Sequence, residues 1–127
     1  MTTAYLEHTN LSVSNPDQTA KTLQSLFDWK IRWSGESMEE GYTVHVGNEN
    51  SYVALYSNTK IQDSRAQSHS QLLNLNHIAV VVNDLVETYK TAESLSLKPF
   101  NYAEYEPGRR FYVFIEDGLE VEIVSYY

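Results

Sequence analysis

The sequence repeats itself, and this repeat constrains the fold more than any other feature. Residues 6–13 read LEHTNLSV and residues 75–82 read LNHIAVVV, with a leucine, a histidine and a valine recurring at an offset of 69. Further along, SYVALYSN at 51–58 aligns with LEVEIVSY at 119–126, at an offset of 68. Two matches in the same order at nearly one offset indicate a tandem repeat of about 65 residues.

Both repeats predict the same order of elements, βαβββ. Alternating apolar residues predict an opening strand in each copy. Asn15 before Pro16 predicts a helix start, and Asn83 or Asp84 predicts one in the second copy. Three shorter strands are then expected in each repeat, at about 30–34, 42–47 and 51–57, and at about 98–102, 109–115 and 119–126.

The two predicted helices carry apolar residues at helical spacing, which indicates a buried face on each. These residues are Ala20, Leu23, Leu26 and Phe27 in the first helix, and Val86, Tyr89, Ala92 and Leu95 in the second. Residues 57–74 are rich in Ser, Asn and Gln, which is typical of an exposed connection. We therefore expect one domain over 1–127, with one module over about 1–58, a linker over about 59–73 and a second module over about 74–127.

Composition excludes several classes of function. The net charge of −8 and the lack of a basic stripe argue against nucleic acid as a partner. The longest apolar run, Ile78–Val82, is far too short to span a membrane, and the first residues do not resemble a secretory signal. Cysteine is absent, so His, Asp and Glu are the strong metal ligands that remain. A cytoplasmic protein is expected.

Side chains alternate between the two faces of a strand, which sorts the polar residues. One face of each sheet is mainly apolar and should pack on a helix. His8, His77 and Glu122 all fall on the opposite face, and the offset of 68 relates Glu122 to Ala54. Two imidazoles and one carboxylate form a facial ligand set that leaves positions open on a divalent ion. The repeat therefore predicts a metal site at these residues.

The sequence resembles the vicinal-oxygen-chelate superfamily, which includes glyoxalase I, extradiol dioxygenases, fosfomycin-resistance thiol transferases and bleomycin-binding proteins. The resemblance covers nearly the whole chain. It is carried by LEHTNLSVSNPDQTAKTLQSLF, YVALYS, LNHIAVVVNDLVETY and RRFYVFIEDGLEVEIVSY. The last segment ends as the family does, with Glu122 four residues after Gly118.

The resemblance implies an α+β fold in which the two modules form a cup-shaped, eight-stranded mixed sheet with the helices on its outer face. It also implies a metal ion in the cup, held by His8, His77 and Glu122, with Ala54 at the position of a fourth ligand. A homodimer is common in the family and is expected here. The metal would be Fe, Mn, Zn or Ni.

The reaction stays open between a lyase, a dioxygenase and a transferase. Glyoxalase I and methylmalonyl-CoA epimerase have Glu or Gln at the position of Ala54, which argues against both. Tyr112 matches a tyrosine common in extradiol and fosfomycin enzymes and is the candidate acid or hydrogen-bond donor. The extradiol histidine is replaced by Ala103 or Glu104, and the fosfomycin threonine by Asn10. Neither activity transfers cleanly.

Several other residues are candidates for the site. Asn10, Tyr52, Ala54 and Tyr56 are the expected substrate-binding residues. Tyr52, Tyr56 and Tyr112 are expected either to form an aromatic wall for a planar ligand or to pack in the core. For each of the residues that follow, an ordinary structural role is an alternative to a role in the site. His45, whose repeat mate is taken as Val113, would either line the cup as a proton shuttle or be an ordinary strand residue, and the second is favoured. Arg109 and Arg110 would either clamp an anion or pair with Glu106 or Glu116. His69 is expected to be solvated in the linker.

Two functions follow as hypotheses. The first is a divalent-metal-dependent enzyme that acts on a small oxygenated organic molecule, which the ion would chelate and polarise. The second is a metal-free protein, like the bleomycin-resistance proteins, that sequesters a small aromatic and cationic compound; the acidic charge and the ten tyrosines favour it. An accessory domain with neither role is a third possibility.

Overall fold

A computed structural model describes residues 3–63, 69–105 and 107–126. The chain divides into two compact units, Met1–Gln62 and Asp63–Tyr127, which we call the first unit and the second unit. The division falls within the linker expected from the sequence. Each unit corresponds to one repeat.

Each unit contains the predicted βαβββ order. In the first unit the elements are β1 (His8–Ser12), α1 (Pro16–Phe27), β2 (Lys30–Ser37), β3 (Gly41–Gly47) and β4 (Tyr52–Ser57). In the second unit they are β5 (Ile78–Val81), α2 (Leu85–Ser94), β6 (Phe100–Tyr105), β7 (Gly108–Phe114) and β8 (Glu120–Ser125). Short 3₁₀ turns lie at Met38–Glu40 and Glu116–Gly118.

The strands form two four-stranded mixed sheets of the same topology, in the orders β1-β4-β3-β2 and β5-β8-β7-β6. In each sheet the first strand pairs in parallel with the last, and the other pairs are antiparallel. Asn10 lies opposite Ala54, and Ala79 lies opposite Glu122. The α+β fold and the repeat offsets at these two strands are therefore confirmed.

The third strand of each repeat aligns differently from our expectation. His45 lies opposite Ala54 on β3 and β4, and Tyr112 lies opposite Glu122 on β7 and β8. The structural mate of His45 is thus Tyr112, at an offset of 67, and the pairing with Val113 was wrong. Because neighbouring residues of a strand point to opposite faces, this one-residue difference aligns His45 with the face of Tyr112 and not with that of Val113.

Both helices begin at side-chain caps that the sequence predicts. The side chain of Asn15 accepts a hydrogen bond from the backbone N–H of Gln18, and Pro16 opens α1. Asp84, one of the two expected caps, accepts from the backbone N–H of Glu87 at the start of α2. Each cap satisfies one of the N–H groups that the first turn of a helix leaves without a partner.

Each helix packs on one face of its own sheet, α1 on β3 and β4, and α2 on β7 and β8. The buried stripe of α1 is as predicted, except that Phe27 is half-buried. In α2 the buried stripe consists of Leu85, Thr88 and Ala92, while Val86 and Leu95 are exposed. The prediction for α2 was therefore correct for Ala92 and wrong for Val86 and Leu95, because the inward face runs through Leu85 and Thr88; Tyr89 is half-buried.

The opposite face of each sheet carries no helix of its own unit, and we call it the helix-free face. Strand alternation places His8, Asn10, His45, Tyr52 and Ala54 on this face in the first unit. In the second unit it carries His77, Ala79, Arg110, Tyr112 and Glu122. None of the described helices is long and apolar enough to cross a membrane.

The matched helix caps give a test of the repeat. Replacing Asn15 or Asp84 by Ala leaves a helix N–H without its partner, so each change should lower the free energy of unfolding by about 1 kcal/mol. The double variant should lose about 2 kcal/mol because the caps act on different helices. Urea denaturation measures the change, with the exposed helix residue Lys21, changed to Ala, as the control expected within about 0.5 kcal/mol of wild type. A loss of stability in only one of the two single variants would contradict the equivalence of the two helix caps.

Candidate functional site

His77 and Glu122 meet on the helix-free face of the second unit. The His77 Nε2 atom lies 3.0 Å from the Oε1 atom of Glu122, although the two residues are far apart in sequence. The parallel pairing of β5 with β8 brings them together, because it sets Ala79 opposite Glu122 and leaves His77 two residues earlier on the same face. Glu122 is only 8% exposed, so its charge requires partners within the protein.

The other nitrogen of His77 is already held. Its Nδ1 atom lies 2.7 Å from the side-chain oxygen of Asn76, an acceptor, so Nδ1 is assigned as the donor. In the neutral ring Nε2 then has a lone pair that faces the Glu122 carboxylate oxygen. Two acceptors at 3.0 Å repel each other unless a proton or a cation lies with them. The Nε2 atom of His77 and the Oε1 atom of Glu122 can therefore hold either a proton or a cation in common.

The spacing also suits a metal ion. Two donor atoms bound at right angles to one ion, with bonds of about 2.1 Å, stand about 3 Å apart. The Nε2 and Oε1 atoms have this separation. A histidine ligand usually donates its second ring N–H to an oxygen, as His77 does toward Asn76. The residues present in the second unit thus fit two neighbouring positions of a divalent ion.

Glu122 has two further partners from β7. Arg110 donates from Nη1 to Oε2 at 3.0 Å, and the hydroxyl of Tyr112 lies 3.3 Å from Oε1. Register explains both contacts, because Tyr112 is directly opposite Glu122 and Arg110 lies two residues away on the same face. Arg110 therefore pairs with a predicted ligand, and the expected pairing of Arg109 or Arg110 with Glu106 or Glu116 stays a prediction. Glu106 lies outside the described residues.

The third predicted ligand, His8, lies in the first unit. Its Nδ1 atom is 2.9 Å from Oε1 of the preceding Glu7, as Nδ1 of His77 is held by the preceding Asn76. Both predicted histidine ligands therefore have Nδ1 engaged by the side chain just before them. Over the ranges the structure describes, no three His, Asp or Glu side chains are close enough together to hold a metal ion.

The predicted substrate-binding residues occupy β1 and β4 of the first unit. Ala54 is buried opposite Asn10 and His45, and Asn10 is exposed. The ring of Tyr52 stacks on His8, with centroids 4.8 Å apart. The hydroxyl of Tyr56 donates to the Met38 carbonyl oxygen at 2.8 Å.

His45 belongs to this cluster of rings. It stacks on Tyr52 with centroids 4.6 Å apart and lies 5.2 Å from the ring of Trp33. Burial lowers the pKa of His45, and the neighbouring His8 and Arg32 lower it further. The guanidinium carbon of Arg32 lies 4.3 Å from the Tyr52 ring centroid. The sequence did not indicate Arg32 or Trp33, and it did not predict the ring contacts of His45.

His69 is exposed, as expected for a linker residue, but it is also paired. Its Nε2 atom lies 2.9 Å from Oε1 of Glu120, two residues before Glu122 on the same strand face. The second unit thus carries two histidine–glutamate pairs. Only one of them, His77 with Glu122, involves predicted ligands.

A cavity of about 610 Å³ lies elsewhere, beside the N-terminus of α1. Its lining includes Asp17, Glu36, Glu40 and Tyr42, and none of the predicted site residues. The Tyr42 hydroxyl donates to Asp17 Oδ1 at 2.7 Å, which raises the pKa of Tyr42. Its lining contains carboxylates but no histidine, so it cannot supply the predicted set of two imidazoles and one carboxylate. We therefore assign the candidate site to those faces.

Comparisons with known proteins agree with this architecture. The family model described as the Glyoxalase/Bleomycin resistance protein/Dioxygenase superfamily matches residues 5–123. This match confirms the resemblance inferred from the sequence. No curated protein matches the chain.

Solved structures show the same fold at low sequence identity. A glyoxylase/bleomycin resistance protein/dioxygenase domain from Frankia sp. EAN1pec is 14% identical, with a TM-score of 0.80 over 98% of each chain. A glyoxalase family protein from Enterococcus faecalis is 13% identical, with a TM-score of 0.77 over 94% of this chain and 96% of that one. A variant of the fosfomycin resistance protein FosX from Listeria monocytogenes, complexed with Mn(II) and 1S,2S-dihydroxypropylphosphonic acid, is 16% identical. Its TM-score is 0.72, over 97% of this chain and 93% of that one.

The ring cluster of the first unit predicts a measurable titration. Replacing Arg32 by Gln removes a positive charge near His45, so the pKa of His45 should rise toward its ordinary value of 6.5 without reaching it, since burial still lowers it. NMR titration of the ring protons in EDTA measures this pKa. Exposed His69, in the second unit, is the control, and its ring signals should be the same in the variant as in wild type. An unchanged or lower pKa of His45 would contradict the assignment of Arg32.

Proposed function

The chain belongs to the Glyoxalase/Bleomycin resistance protein/Dioxygenase superfamily, and from that premise we propose that it binds a divalent metal ion and acts on a small oxygenated organic molecule. The proposed ligands are His8, His77 and Glu122. The observation that carries the proposal is the 3.0 Å approach of His77 Nε2 to Glu122 Oε1, with the other His77 nitrogen held by Asn76. FosX, a structural neighbour, is complexed with Mn(II), which supports a metal of this kind.

A bound divalent ion would supply Lewis-acid stabilisation of negative charge on a substrate oxygen. The residues of the chain have separate tasks around it. His77 and Glu122 provide ligand atoms from the second unit, and His8 is the proposed ligand from the first. Ala54 has only a methyl group where a fourth protein ligand would stand, which leaves coordination positions for oxygen atoms of a substrate.

Arg110 and Tyr112 support Glu122 in this proposal. Because Arg110 occupies Oε2, the carboxylate presents Oε1 alone toward His77 and would bind an ion through one oxygen. The Tyr112 hydroxyl, 3.3 Å from the same Oε1, is the proposed hydrogen-bond donor to a substrate oxygen. Asn10, Tyr52, Ala54 and Tyr56 remain the proposed substrate-binding residues.

The organisation of the protein is part of the same proposal. We propose that residues 1–127 act as one functional domain. We also propose that the protein is a cytoplasmic homodimer. Light scattering on a size-exclusion column tests the dimer, since a dimer has twice the monomer mass of 14.6 kDa.

One observation favours the second candidate, a metal-free binding protein. Both oxygens of Glu122 have partners within the protein, Arg110 on one and His77 with Tyr112 on the other. A buried carboxylate satisfied in this way is stable without a metal ion. Thermal shifts caused by small organic ligands that persist in EDTA, in protein that takes up no metal, would favour this candidate.

Metal content tests the primary proposal. Purified protein reconstituted with Mn(II) or Zn(II) should contain about one ion per chain, and His77→Ala and Glu122→Gln should lower the affinity at least ten-fold because each removes a ligand atom. Elemental analysis and competition with a chelator measure the stoichiometry and the affinity.

The matched control is His69→Ala, which removes a histidine paired with the other glutamate of the same strand. This variant should bind the metal as wild type does. Wild-type protein that binds no Fe, Mn, Zn or Ni would contradict the proposal, as would equal losses in the His69 and His77 variants.

A further inference from the structure

The indole of Trp33 lies along the helix-free face of the first unit and presents a surface to solvent. A Cβ atom on Gly35 would lie 3.0 Å from Cζ2 of the Trp33 side chain, so the absence of a side chain at Gly35 lets the ring rest over the backbone. His45 lies opposite Trp33 on the neighbouring strand. Trp33 is nevertheless 47% exposed. An exposed ring supported from beneath is a surface on which a second planar ring can stack.

A β-bulge sets Arg32 beside this ring. The register of β2 shifts between Ile31, which pairs with Val46, and Trp33, which pairs with His45. The extra residue, Arg32, is thereby turned toward the same face, and its guanidinium lies over Tyr52. Among the described residues it donates from Nη1 to the Asn48 carbonyl oxygen at 3.2 Å. A guanidinium has five N–H donors, so one such bond leaves it able to hold a carboxylate.

The second unit lacks this arrangement at the equivalent positions. Phe100, opposite Tyr112, corresponds to Trp33, but Pro99 precedes it and the register shift falls after it. Phe100 is covered by the stacked ring of Phe114, with centroids 4.9 Å apart. Gly47 stands where the second unit has Phe114, so no side chain at that position covers Trp33. The open ring and the adjacent cation are features of the first unit.

We propose that Arg32, Trp33 and His45 form a binding site for a planar aromatic anion, whose ring stacks on Trp33 and whose carboxylate binds Arg32. The site goes beyond the proposed metal function because it needs no metal ion. The net charge of the protein is −8, which repels an anion. The attraction for the carboxylate must therefore come from the nearby guanidinium of Arg32. Glu7 is an acidic residue near this site, and its carboxylate contacts the hydroxyl of Tyr52 and Nδ1 of His8.

Three probe molecules separate the parts of this proposal. Benzoate has both the ring and the negative charge, cyclohexanecarboxylate has the charge without an aromatic ring, and benzylammonium has the ring with a positive charge. Each is titrated in EDTA while the indole N–H signals of the two tryptophans are followed by NMR. Trp29→Phe assigns the signals, and Trp29, which packs near Phe27, is the internal control.

We expect benzoate to shift the Trp33 signal saturably, with a Kd on the order of 1 mM, and to leave Trp29 unchanged. Cyclohexanecarboxylate and benzylammonium should bind at least about five-fold more weakly. Arg32→Gln should weaken benzoate about ten-fold, and Arg32→Lys should lose less. Gly35→Ala should also weaken benzoate because its Cβ displaces the indole.

Three results would overturn the proposal. Benzylammonium binding as tightly as benzoate would show that Arg32 does not set the charge preference. Equal shifts of Trp29 and Trp33, or benzoate affinity unchanged in Arg32→Gln, would show that the site is not at these residues. Since every titration is made in EDTA, the outcome is independent of whether the proposed metal site exists.

Discussion

The parallel pairing of the first and last strands in each unit is the constraint on which the site depends. These strands are far apart in sequence, and their register decides which side chains meet. In the second unit it sets Ala79 opposite Glu122 and so brings His77 to the Glu122 carboxylate. In the first unit the same register sets Asn10 opposite Ala54 and His8 opposite Tyr52. A slip of one residue would send either histidine to the helix side of its sheet.

The two units therefore share one sheet topology but carry different side chains at equivalent positions of the helix-free face. Glu122 and Glu120 in the second unit stand where the first has Ala54 and Tyr52, and Arg110 stands where the first has Thr43. The second unit accordingly presents carboxylates with their partners, whereas the first presents rings and one guanidinium. This division suits a protein in which one repeat supplies most of the proposed metal ligands and the other supplies surfaces for an organic molecule.

Periodic and local features of the fold could be predicted from the sequence, because they depend on neighbouring residues. The repeat, the strand order and the caps at Asn15 and Asp84 are of this kind. The partner of Arg110 could not be predicted, since it depends on the register of β7 against β8. The mate of His45 could not be predicted either, because the offset between the repeats is one residue shorter at β3 and β7 than at β4 and β8. The bulge that turns Arg32 toward Tyr52 left no signal in the periodicity. The polar residues just before His8 and His77 were visible in the sequence and could have indicated the Nδ1 contacts.

The proposed metal site is tested most directly by a crystal structure of the protein grown with Mn(II), with an anomalous map recorded at a wavelength where manganese scatters. We expect one peak about 2.2 Å from both His77 Nε2 and Glu122 Oε1, with Arg110 still bound to Oε2 and His8 as a third ligand. The proposed site would be wrong if, at saturating Mn(II), His77 and Glu122 remained in direct contact with no peak beside them, or if manganese bound elsewhere on the chain.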